Sequence, residues 1–119
     1  MFDKEVAVNK HGVNSNIHSK VLSDEEMINT GFRLFKGVWY YSKDIGCDIT
    51  FNVTINNDNS DFKIDIIDEE YGQPYDYQAL LNIYPEHDFA LKVLNCVEEW
   101  MEELQNKGIL YGHVKGEYI

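Results

Sequence analysis

Between positions 49 and 55 the chain alternates without a break: Ile49, Phe51, Val53 and Ile55 are apolar, while Thr50, Asn52 and Thr54 are polar. A period of two places one side of a strand in a core and the other in water, and it excludes a helix there. Asn56 to Asp61 is polar throughout and reads as a loop. Phe62, Ile64 and Ile66 then alternate with Lys63 and Asp65, so the two segments predict an antiparallel hairpin. Its register is constrained, because a slip of one residue would drive Phe51 and Val53 into water. Upstream, Val38-Trp39-Tyr40-Tyr41-Ser42 suits a pleated surface, and Asp44-Ile45-Gly46 supplies a turn before the next strand.

Helical signals flank these strands. Ser23-Asp24-Glu25-Glu26 sets a capping hydroxyl three residues before a glutamate, and Gly31 stops the helix, which is expected over 24–30. Phe32 and Phe35 then fold back onto the core. Gly72-Gln73-Pro74 breaks the third strand, and Tyr75 to Tyr84 reads as a short helix with Ala79, Leu80 and Ile83 on one side. Pro85 opens the main helix beside Glu86 and Asp88, whose charges suit the positive end of the helix dipole. Ala90, Val93, Leu94, Val97, Trp100, Met101 and Leu104 recur at spacings of three and four, and the helix runs to Lys107 before Gly108. The expected fold is α+β: a three-stranded antiparallel sheet, with a fourth strand if the tail joins it, and a long C-terminal amphipathic helix packed on one face. Residues 1–21 read as an irregular N-terminal arm and residues 22–119 as a single domain.

Composition sharpens this picture chiefly through charge. The 119 residues carry 21 acids against 10 bases, a net charge of -11, which disfavours direct binding to nucleic acid backbones. The excess lies between residues 44 and 103, where fifteen acids face only Lys63 and Lys92. Arg33, Lys36 and Lys43 stand nearby as a solvated counterweight. Trp39, Tyr40 and Tyr41 would suit base stacking only beside a basic groove. Cys47 and Cys96 form no paired framework, and the opening residues hold no apolar stretch of signal-peptide length. A cytoplasmic protein that does not enter membranes is the expectation.

The densest candidate for chemistry is Asp65, Asp68, Glu69 and Glu70, with Asp76 beyond. Hard cations need several carboxylate oxygens converging on one point, yet strand alternation places Asp65 and Asp68 on opposite faces. A solvated acidic face is the plainer explanation, and no metal or other cofactor is expected. Cys96 reads as a small buried hydrophobe and Cys47 as an exposed residue with acidic neighbours, which do not activate a thiol. His87 with Asp88 reads as a helix-start pair and His113 as a surface residue. Tyr71, Tyr75 and Tyr77 form an aromatic segment that either covers the sheet edge or makes contact surface. No phosphate-cradling glycine motif occurs.

The stretches Leu22-Ser23-Asp24-Glu25-Glu26-Met27, Ile49 to Ile55, Gln73-Pro74-Tyr75-Asp76-Tyr77-Gln78, Ala90-Leu91-Lys92-Val93 and Gly112 to Ile119 together resemble a family of small uncharacterised proteins carried by phages and mobile elements of Gram-positive bacteria. The resemblance covers residues 22–119 and implies a setting rather than an activity. In that setting the acidic segment suggests a non-enzymatic interaction protein that engages a protein with a basic surface, such as a nuclease or other DNA-binding enzyme, by presenting carboxylates where phosphates would sit. The expected contact residues are Asp65, Asp68, Glu69, Glu70, Glu98, Glu99, Glu102 and Glu103, with Tyr71, Tyr75 and Tyr77 as anchors. Two rivals are a metal-dependent hydrolase or phosphoesterase using the Asp65–Glu70 acids, and a small-ligand binder with a pocket between the long helix and Trp39 and Tyr41.

Overall fold

The alternation at positions 49–55 becomes the central strand of a five-stranded antiparallel sheet in the computed structural model, which describes residues 17–114. In chain order the elements are β1 (His18–Ser19), α1 (Asp24–Thr30), β2 (Arg33–Phe35), β3 (Val38–Gly46), β4 (Ile49–Asn56), β5 (Phe62–Asp68), β6 (Gln73–Pro74), α2 (Tyr77–Ile83), α3 (Asp88–Asn106) and β7 (Leu110–Tyr111). The sheet runs β2-β3-β4-β5-β6, and β1 pairs separately with β7. The class is therefore α+β as expected, but three or four strands undercounts the sheet. The tail strand does not extend it either: β7 joins the end of the N-terminal arm instead. Ile17, within the arm, is fully buried, and the first 16 residues of the arm lie outside those described.

Register explains which side chains enter the core. On β4 every odd position is buried and every even one half-buried. Phe51 pairs with Lys43 and Ile66, Val53 with Tyr41 and Ile64, and Ile55 with Trp39 and Phe62. This inner face meets Ala90, Val93, Val97, Met101 and Leu104 of α3 in one continuous core. Phe51 is held between Tyr41, edge-on at 6.2 Å, and Trp100 at 5.6 Å. The turn expected at Asp44–Gly46 falls one step later. β3 runs through Gly46 with a bulge between Asp44 and Gly46, and Cys47 and Asp48 form the turn at φ 52° and 64°.

Local signals set the helix ends. The Ser23 hydroxyl accepts from the Glu26 amide while the Glu26 carboxylate reaches back to the Ser23 amide, a reciprocal cap worth about 1 kcal/mol. Gly31 then turns at φ 121°, where the edge of the Tyr41 ring lies 3.5 Å from the position a Cβ would take. His87 caps α3 by accepting the Ala90 amide at its Nδ1 (3.1 Å), the helix-start role read from its position. Pro85 lies in the preceding turn rather than in the helix.

Candidate functional site: two faces of opposite charge

The acids proposed as one array are divided by the sheet. The outer face of the sheet is laid out in cross-strand rows: Arg33, Tyr40, Thr54 and Lys63; then Ser42, Asn52 and Asp65; then Asp44, Thr50 and Ile67. Asp65 lies there, 3.3 Å from the Lys63 ammonium. On the same face Asn52 donates to the Thr50 hydroxyl, which donates to the Glu69 carboxylate at 2.7 Å. Asp68, from the other side of β5, spends its Oδ1 on the amides of Glu70 and Tyr71 and so builds the turn after the strand.

The helical acids sit on the inner side, beyond the core. Glu99, Glu102 and Glu103 are exposed on α3. No cation among the described residues pairs with them. Glu103, in the last turn, opposes the helix dipole, which favours positive charge at the C-terminus, and that turn of α3 carries no basic residue; Glu99 lies a turn further back. Glu98 differs from its neighbours. Its side chain is 11% exposed, and Oε1 lies 2.5 Å from His113 Nε2. His113, expected at the surface, is instead buried: its amide donates to Gln105 Oε1 and its Nδ1 has no partner among the described residues. A histidine buried against a carboxylate fifteen positions away leaves no periodic trace in the sequence.

The tyrosines also separate. Tyr71 is 69% exposed at the β5–β6 turn. Tyr75 is half-buried, its ring edge-on to Phe89 at 5.9 Å, and burial, with the charges of Cys47 and Asp68 behind it, pushes its hydroxyl pKa up. Tyr77 is a correction. It is 2% exposed in the core and offers no contact area, because α2 turns its first residue inward.

Trp39 and Tyr41, the residues expected beside a small-ligand pocket, are likewise buried in the core. The Trp39 indole donates to Asn57 Oδ1 at 2.8 Å. The Tyr41 hydroxyl is buried with no hydrogen-bond partner among the described residues. Burial, followed by the negative charge of Glu103, pushes its pKa up from 10.0 to about 12. The folded state therefore keeps its proton at a pH where the unfolded chain loses it, and stability falls as pH rises from 10 towards 12. Urea midpoints across that range should drop for the native chain, and less steeply for Tyr41→Phe.

Cys47 is exposed at the β3–β4 turn, and burial pushes the Cys96 thiol up against the opposing influence of Lys92. No group of three or more His, Cys, Asp or Glu side chains among the described residues is arranged to hold an ion. No described helix is long and apolar enough to cross a membrane.

No family model matches the chain, and no curated protein is similar to it at a meaningful level. A solved structure does share the fold: a DUF1831 family protein from Lactobacillus plantarum, with a TM-score of 0.57 and 15% sequence identity, covering 79% of this chain and 82% of that one. At that identity the likeness extends to architecture alone.

Proposed function

We propose that the protein is a non-enzymatic binding protein that engages a basic surface of another protein through the outer face of α3. The observation that carries this reading is the exposed run Glu99, Glu102 and Glu103, with no cation paired to it among the described residues, along the C-terminal half of a helix whose last turn holds Glu103 and no base. Unpaired charge crowded along one helix face, with Glu103 held against the helix dipole at about 0.3–1 kcal/mol, is better accounted for by a partner than by the fold. Carboxylates spaced along a rigid helix present negative charge to a groove lined by lysine and arginine, and such complementarity accelerates association and sets register. The partner is taken to be a nucleic-acid-binding protein and the setting a cytoplasmic one in a phage or mobile element, as the sequence resemblance implies. Asp65 and Glu69 belong to the opposite side of the sheet and drop out of this contact.

The test is retention of basic proteins from a bacterial lysate on the immobilised protein at low and high salt, with the native chain and the Glu99→Gln/Glu102→Gln/Glu103→Gln variant. Retention should be salt-sensitive and lost in the variant. The variant should also be more stable than the native chain, so that lost binding cannot be attributed to lost folding. Equal retention by the two proteins would remove the reading.

A further inference from the structure

We infer that the outer edge of β2 is a docking strand for an extended acidic segment of a partner protein, a second contact surface separate from the acidic helix. The geometry begins with the β2–β3 hairpin. Lys36 and Gly37 form its two-residue loop at φ 50° and 80°, the signature of a type I′ turn. In such a hairpin the flanking residues Phe35 and Val38 form the hydrogen-bonded pair, and hydrogen-bonded and open pairs then alternate. Leu34, opposite Trp39, is therefore in an open pair. Its N–H and C=O point away from β3, towards the side of β2 where the sheet has no further strand among the described residues.

The side chains around that edge are those of a contact surface. Leu34 is 45% exposed, Phe35 60% and Tyr40 45%, with Ile28 of α1 exposed as well. Arg33 and Lys36 bracket Leu34 and Phe35, and neither makes an ion pair among the described residues. Lys36 lies over the Phe35 ring at 5.3 Å, while Arg33 donates to the Phe32 carbonyl at 3.0 Å. An edge that is only protected against aggregation is short and charged, as this one is, but it does not leave two large apolar side chains bare between its cations.

Charge selects the occupant. A second copy pairing antiparallel, with Leu34 opposite Leu34 so that the outward groups of both edges meet, would set Arg33 opposite Phe35 and give neither cation a counter-charge. An extended segment with carboxylates near Arg33 and Lys36 supplies a counter-charge to both. It would exchange two main-chain hydrogen bonds with Leu34, set an apolar residue against Phe35 and Tyr40, and place an acid against each cation.

Selection from a random linear peptide library against the full chain tests this, followed by titration of the strongest binder as a fluorescent peptide. Recovered peptides should alternate, with acidic residues flanking a β-branched or aromatic one, and should shift the backbone amides of residues 33–36 in NMR spectra. Arg33→Glu with Lys36→Glu should weaken binding by roughly tenfold or more. Leu34→Pro removes the outward N–H while sparing the β3 ladder, and should weaken binding by about fivefold to tenfold. A library that returns no binder, binders without acidic bias, or affinity unchanged by the charge reversal would overturn the inference. So would tighter binding of an oligothymidylate at the same residues, which would make the surface one for single-stranded nucleic acid.

Discussion

Phe51→Ala is expected to lower stability by about 3–5 kcal/mol, a large part of the roughly 5–15 kcal/mol that holds a domain of this size together. Phe51 is fully buried at the middle of the central strand. Its ring contacts Tyr41 within the sheet and Trp100 on the helix above, so it joins the two layers. Truncation removes apolar surface from the core and leaves a space that neither aromatic neighbour can close without leaving its own packing. The urea midpoint should fall sharply, whereas Tyr71→Ala at the exposed turn should move it by no more than about 0.5 kcal/mol equivalent. Similar midpoints for the two variants would mean that the layers are not joined through Phe51.

Glu98→Ala is expected to cost about 1–3 kcal/mol, because it removes the carboxylate hydrogen-bonded to a buried imidazole. The loss should be concentrated rather than global. His113 belongs to the segment that follows β7, and that segment can regain water by lifting from α3. Amide exchange should accelerate first at Lys20, whose N–H donates to the Ile109 carbonyl at 2.8 Å. The double variant Glu98→Ala/His113→Ala should cost less than the two single changes added together. Simple additivity would show that the pair contributes no coupling.

The strands that alternate cleanly, β4 and β5, were legible in the sequence because one face of β4 is buried along its whole length and that of β5 at Ile64 and Ile66. So were α1, from the reciprocal Ser23–Glu26 cap, and α3, from its stripe of Val93, Val97, Met101 and Leu104. β2 and β6 were not. Three residues, or two, are too few for a period to emerge, and Arg33-Leu34-Phe35 reads equally as chain folding back after a helix. The tail strand pairs with β1 rather than with the sheet, and nothing local to Leu110 and Tyr111 points to residues 18–19. The acidic site was legible as a composition and not as a surface. Counting carboxylates says nothing of the sheet that separates Asp65 from Glu99, nor of the histidine that occupies Glu98. In the same way, the run Trp39-Tyr40-Tyr41 looks like one aromatic patch, while strand alternation sends its middle ring to solvent and the other two inward.

The ribbon formed by β1 and β7 joins residues from opposite ends of the described chain, whereas the β3–β4–β5 meander joins neighbours. Closing the ribbon first would fix the longest loop in the molecule for only four residues of strand, so the meander and its helical cover should be largely assembled in the folding transition state before the ends meet. Substitutions at Ile17 or Leu110 should accordingly leave the refolding rate nearly unchanged and act on the rate of opening. The two ends then govern how long the native state persists rather than how quickly it is reached.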